Sequence, residues 1–306
     1  MSDAFLLVSY GSPECRDDVL PFLNRLFHGR RVSSAVAEKA AAQYDELALK
    51  TGQYSPLSRQ CRYLIEKLRQ RNTLRIPIFW GNLFWHPLLT DTLAEMHRQG
   101  IQRATAFITS PFESDFIRKR YIDAIENTQN KIEIRLLPAF GNHPLYYRAV
   151  ADRILEAAAL LALDLDDSLE KAGTRILFTA HSLPLSDQGT EQYVSQLNKA
   201  ASELLPAGLR DLPWELVFQS RGGKPSDPWL EPDICVRVRQ LAEERDRTGN
   251  PLSLLIVPMG FLLENKETAY DLDLQTLPLC DKLNIPVVRV PTAGSSPPIL
   301  EMIETL

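Results

Sequence analysis

Two stretches of the 306-residue chain hold side chains able to do acid–base or metal chemistry. In residues 174–184, TRILFTAHSLP, the apolar run Arg175-Ile176-Leu177-Phe178 predicts a buried strand, and His181 falls at its carboxyl end. Imidazole titrates near neutral pH, so it can take up a proton or offer a lone pair to a metal. The loops at that edge of an open α/β sheet are where ligands bind. A satisfied histidine in a turn has the same position, and position alone leaves both readings open. The second stretch follows the predicted strand 253–257, where Glu264, Glu267, Asp271 and Gln275 stand 3, 4 and 4 residues apart and share one face of a helix that starts near Glu264. Acidic residues in a first helical turn complement the helix dipole, which accounts for Glu264 and Glu267 at roughly 0.3–1 kcal/mol each. Asp271 lies beyond that turn, where a like charge at i,i+4 costs roughly 0.2–0.5 kcal/mol. A stripe that continues into that repulsion is a candidate cation site.

These residues need strands and helices to hold them. Residues 4–8 predict a strand that ends in the turn Ser9-Tyr10-Gly11-Ser12-Pro13, so Tyr10 occupies in the first half the place that His181 occupies in the second. Helical spacing follows over 17–27 and 34–49, and Ser55 with Pro56 predicts the cap and first position of a helix reaching about 68. Strands at 74–80, 103–109 and 132–136 then alternate with helices at 88–98 and 115–127, which demands a parallel sheet covered on both faces. A long helix over 145–163 and a polar segment separate this half from strands at 175–179, 215–218, 253–257 and 286–288. The openings LLVSYGSP and ILFTAHSLP form a weak internal repeat. The expected fold is α/β, with lobes over 1–150 and 151–306, each a parallel sheet flanked by helices, and a cleft between their strand ends.

Other features narrow the function. The loop 218–233 separates its glycines from the next helix by three prolines, which disfavours a phosphate loop and suits Trp229 as a wall for a flat apolar ligand. His143, before a proline, reads as a turn residue. The formal charge of -5 and pI near 5.7, with scattered Lys and Arg, argue against a nucleic-acid partner. Four well-separated cysteines read as free thiols in a reducing compartment. No apolar run reaches the length of a signal peptide or membrane span, so a cytoplasmic location with no transmembrane segment is expected.

Taken together, LLVSYGSPE, YSPLSRQ, FTAHSLP, FQSRGGKPSDPWLEPDI and PMGFLLENKETAYDLDLQ resemble the ferrochelatase family over nearly the whole chain. The resemblance implies two Rossmann-like lobes of the chelatase type and insertion of Fe2+ into a porphyrin in haem biosynthesis. It implies His181 and Glu267 as the essential pair and iron ligands, with Asp271 as an outer metal position. It implies Tyr10, Tyr44, Ser55, Trp229 and Phe261 as porphyrin contacts. Metallation strips two pyrrole N–H protons and delivers a divalent ion, so a base and a metal-handling carboxylate suit the chemistry, and the residue types leave open which one does which. Fe2+ enters as substrate; no organic cofactor, iron–sulfur cluster or partner chain is expected, and the enzyme is read as a monomer. Tyrosine at position 10 points to coproporphyrin III over protoporphyrin IX, because a phenolate can ligate the product iron.

The chain departs from the family pattern at several places. Asn265, Gln275 and Phe84 stand where various relatives carry a histidine, a carboxylate and a histidine, and Phe27 stands where some tyrosine-bearing relatives carry an arginine, with Arg25, Arg30 and Arg31 close by. The sequence stops at Leu306 without the cysteine-bearing extension of animal members. A cobalt or nickel tetrapyrrole chelatase, or a protein that only carries haem or porphyrin, are the alternative readings.

Overall fold

The computed structural model describes residues 2–27, 29, 32–71, 73–128, 131–165, 168–222 and 226–306. Arg30, Arg31 and Gly223 lie outside the described residues. The chain divides into two compact units, Met1–Ser110 with Ile117–Ala139 and Leu300–Leu306, and Pro111–Phe116 with Phe140–Ile299.

The first unit holds strands β1 (Ala4–Ser9), β2 (Ile78–Asn82), β3 (Arg103–Ile108) and β4 (Glu133–Leu136), all parallel and ordered β2-β1-β3-β4. Helices α1 (Val19–Leu26), α2 (Ser34–Thr51), α3 (Pro56–Arg71), α4 (Leu89–Arg98) and α5 (Arg118–Glu126) cover it. Every residue of β1 is buried, as a central strand covered on both faces requires. Ser55 caps α3 as expected, its Oγ accepting the Ser58 N–H at 3.4 Å. The strand expected at 74–80 instead begins at Ile78 and runs to Asn82. Pro77 has no N–H for a ladder, and Arg75 turns the chain with a left-handed φ of 53°.

The second unit repeats the scheme with β5 (Thr174–His181), β6 (Trp214–Gln219), β7 (Ser253–Val257) and β8 (Val287–Arg289), ordered β6-β5-β7-β8 and again parallel. Its helices are α6 (Pro144–Leu165), α7 (Thr190–Leu204) and α8 (Ile234–Thr248), then a π-helix, Thr268–Thr276, that runs into α9 (Leu277–Lys282); α10 (Pro297–Thr305) begins in this unit and ends in the first. Asp233 and Gly249 bound α8, the first through its carboxylate on the Val236 N–H and the second in a left-handed C-cap.

The two units meet along the chain at 110/111, 116/117, 139/140 and 299/300, and residue 150 lies inside α6. The start of α6 is tied to the second sheet, because the fully buried Tyr146 donates its hydroxyl to the Met259 carbonyl at 2.7 Å, just beyond β7. The last seven residues also change sides: Glu304 pairs with Arg71 at 2.8 Å within the first unit. No helix among the described residues is long and apolar enough to cross a membrane.

Candidate active site

In each sheet the strand order reverses between the first strand and the third, and ligands of open α/β sheets gather outside the strand ends at that point. In the second sheet the reversal lies between β5 and β7. His181 ends β5, and the segment carrying Glu267 and Asp271 follows β7. Close backbone contact holds that segment against β5. The Gly260 N–H donates to the Thr179 carbonyl at 3.0 Å, and a Cβ on Gly260 would sit 2.7 Å from the Ala180 Cα. Only glycine lets the turn lie so close.

His181 Nε2 lies 3.5 Å from Glu267 Oε1, with the two side chains 18% and 36% exposed. Nδ1 hydrogen-bonds the Ser182 carbonyl, and because a carbonyl only accepts, the Nδ1 proton is fixed and Nε2 is the atom that faces the carboxylate. Burial works against a charged imidazole here, but the Glu267 carboxylate, together with the Ser182 carbonyl and Asp271, raises the His181 pKa. The same attraction overcomes burial at Glu267 and lowers its pKa. Both shifts favour the imidazolium–carboxylate form of the pair. Losing the Nε2 proton turns it into two donors 3.5 Å apart. With metal–ligand bonds of about 2.1 Å, such donors share one ion at an angle of roughly 110°. Among the described residues no group of three or more His, Cys, Asp or Glu is arranged to hold a metal ion. A two-donor site with open positions suits an ion that must be handed on.

Asp271 lies one turn further along the π-helix. Burial pushes its carboxyl up to about 6, an effect only partly offset by the Ser220 hydroxyl that donates to Oδ2. Ser220 itself holds a left-handed φ of 63°, unusual for a residue with a side chain. A carboxyl whose pKa rises from 3.8 to about 6 on folding opposes folding above that range and not below it. Asp271→Asn keeps an acceptor for Ser220 and should raise Tm at pH 7.5, by the equivalent of about 1–3 kcal/mol. The gain should shrink as pH falls from 6 towards 4, and melting curves across that range check it. An equal gain at pH 4 would mean that the ionised carboxylate carries no such cost.

The stripe read from spacing is shorter than expected. Glu264 precedes the helix and turns to Arg289, whose Nη1 lies 2.6 Å from Oε1, while Thr268 donates to Oε2 at 2.8 Å. Arg289 also grips Asp273 at 2.8 and 2.7 Å, so this cluster anchors the π-helix to β8 rather than facing a ligand. Gln275 is exposed at the far end.

An aromatic pair stands beside His181. Phe116 lies 6.3 Å from the imidazole and meets Trp229 edge-on at 5.8 Å, and Trp229 is itself only 8% exposed. Phe261 is half-buried in the turn after Gly260. The sequence reading missed Phe116, which belongs to the first half by position but to the second unit by packing. Gln196 holds both the N–H and the carbonyl of Glu113, at 3.1 and 3.2 Å, and Asp187 accepts the Phe116 N–H at 3.2 Å. In the first unit Tyr10 is half-buried, its ring 4.7 Å from Phe84 and 6.4 Å from Phe22. Tyr44 is 6% exposed and stacks on Tyr54 at 5.4 Å. His143, set aside in the sequence, accepts the Leu145 N–H at the start of α6.

The family model described as Ferrochelatase matches residues 2–306. The chain belongs to the ferrochelatase family. A ferrochelatase of Rhodopirellula baltica is 34% identical over 309 residues, covering 98% of this chain and 84% of that protein. A coproporphyrin III ferrochelatase of Frankia alni is 38% identical over 323 residues, covering 99% and 79%. The structure of SirB from Bacillus subtilis with Fe3+ matches the fold with a TM-score of 0.52 at 12% identity, over 100% of this chain and 94% of SirB. As a ferrochelatase, the enzyme inserts Fe2+ into a porphyrin in haem biosynthesis, and iron is a substrate rather than a resident cofactor.

Proposed function

We propose that the enzyme metallates coproporphyrin III, with His181 Nε2 taking pyrrole protons, Glu267 handling the incoming Fe2+ and Tyr10 ligating the product iron. The observation that carries the roles is the 3.5 Å pairing of a tautomer-fixed imidazole with a carboxylate at the strand-order reversal. Iron stays ferrous throughout: two N–H bonds break, two protons leave through the imidazole to water, and four nitrogen–iron bonds form. Asp271, one turn outward, is an outer position for the ion before transfer. Phe116, Trp229 and Phe261 give the macrocycle apolar walls, and Tyr44 and Ser55 are contacts in the first unit.

Several features support the tetracarboxylate porphyrin. Relatives at 31–38% identity include proteins named coproporphyrin III ferrochelatase. Tyr10 offers a phenol at the end of a central strand, packed on Phe84. A cavity of about 610 Å³ in the first unit is lined by Phe84 together with Arg25, Arg120 and Asp123, two cations against one carboxylate. The four cysteines are unbridged, in keeping with a reducing cytoplasm. The enzyme is read as a monomer.

The test compares kcat/KM for Fe2+ insertion into coproporphyrin III and protoporphyrin IX under anaerobic conditions, in the wild type and in Tyr10→Met. Coproporphyrin III should be preferred, and the product, once oxidised to the ferric state by air after turnover, should lose its phenolate-type absorption in the variant. Metallation of protoporphyrin IX alone, with a product spectrum indifferent to Tyr10, would refute the reading.

A further inference from the structure

We infer that Gln219 is a positioning residue that sets the distance between His181 and Glu267, with Thr179 orienting its amide. The inference rests on the reading that this pair handles iron and protons.

Gln219 ends β6, in register with His181 across the sheet, and is 1% exposed. Its main-chain carbonyl accepts the Ser182 N–H at 2.8 Å. Ser182 in turn supplies the carbonyl that fixes the His181 tautomer. Its side chain reaches the other way, where Nε2 donates to the Glu267 carbonyl at 3.1 Å. One residue thus fastens the backbone beside each member of the pair.

The Glu267 carbonyl, which only accepts, decides which end of the amide points at it, and Thr179, also fully buried, holds the other end with a hydroxyl that donates to Gln219 Oε1 at 2.8 Å. A hydroxyl proton on Oε1 leaves the NH2 for the Glu267 carbonyl, whereas a flipped amide would set oxygen against oxygen there. The contact falls where the backbone changes character. Glu267 is the residue before the π-helix, and the bond from the Leu277 N–H to the Leu272 carbonyl shows the i→i+5 spacing at its other end. Wide turns of this kind recur at functional sites because they trade regular packing for a particular side-chain direction. An outside donor on the carbonyl at its entrance holds that direction. Among the described residues the Glu267 carboxylate meets the imidazole at 3.5 Å, and the side chain is 36% exposed, a looser hold than the backbone has. Its aim is therefore set through its backbone.

Partners that orient a metal-handling side chain typically contribute 10–100-fold to affinity or activity. Gln219→Met keeps the length and removes both side-chain hydrogen bonds. With Fe2+ and coproporphyrin III, its kcat/KM for iron should fall by about 10–100-fold, mainly through a higher iron KM. The porphyrin Kd, read by fluorescence quenching, should stay within about twofold, since the walls are untouched. Thr179→Val should shift the iron KM in the same direction by a smaller factor, and Thr179→Ser, which restores the donor, should return it to the wild-type value. If Gln219→Met does not fold, the Val and Ser pair at Thr179 carries the test alone. A loss confined to Tm or to the active fraction, with iron KM unchanged, overturns the inference, as does Thr179→Ser behaving like Thr179→Val. Glu267→Gln measured alongside separates the two levels. If it is impaired while Gln219→Met is not, only the positioning role fails, and if it matches the wild type, the site reading fails and takes the positioning role with it.

Discussion

His181→Ala should lower Fe2+ insertion by two to three orders of magnitude while the protein still binds porphyrin. The imidazole sits at the end of β5 with Nδ1 committed to the Ser182 carbonyl, which leaves Nε2 as the one ring atom able to accept a proton. Removing a positioned general base costs about 10²–10⁴ in rate. At the lower end of that range the loss corresponds to about 2.7 kcal/mol of transition-state stabilisation. The apolar neighbours Phe116 and Trp229 remain in place, so porphyrin affinity should change little. Single-turnover metallation followed in the Soret band, with fluorescence quenching for binding, separates the two effects. Retention of more than about a tenth of the wild-type rate would remove His181 from both roles.

Glu267→Gln should nearly abolish turnover or raise the iron requirement steeply, whereas Asp271→Asn should do less. Only Glu267 is paired with the imidazole, and Asp271 spends an oxygen on Ser220. The substitution also predicts a pH effect with a definite sign. Burial alone lowers the His181 pKa, and the Glu267 carboxylate is the largest influence that raises it above 6.5. Since imidazole must be deprotonated to accept a proton or bind iron, wild-type kcat/KM for iron should climb through a limb above pH 6.5. Without the carboxylate that limb should move to lower pH. The residual activity of Glu267→Gln measured between pH 5.5 and 9 tests this. A limb unmoved by the substitution, or a larger loss at Asp271, would contradict the assigned order along the helix.

Much of this was legible in sequence because buried parallel strands write themselves as apolar runs closed by turn residues. LLVSYGSP and ILFTAHSLP accordingly placed Tyr10 and His181 at strand ends, where β1 and β5 put them. The π-helix was not legible, since a four-residue interval nearly completes one turn in either an i→i+4 or an i→i+5 helix, and the spacing of Glu267 and Asp271 fits both. Glu264 misled for a different reason: its partner, Arg289, lies 25 residues on, beyond the reach of any local pattern. The same limit hid Phe116, whose segment is held by Gln196 and Asp187, side chains that follow 83 and 71 positions after the atoms they bind. Nor does sequence show that α6 is tied to the second sheet, since Tyr146 reaches the Met259 carbonyl 113 residues on.

The most direct test of the account is a double-mutant cycle on iron insertion into coproporphyrin III, run anaerobically with the wild type, His181→Ala, Glu267→Gln and the double variant. Groups that act as one unit give grossly non-additive losses. If proton removal and iron transfer depend on the pair held 3.5 Å apart, the double variant should be no slower than the worse single one, within about threefold. Losses that multiply, so that the double variant falls by the product of the two single effects, would show the two side chains working independently and contradict the account.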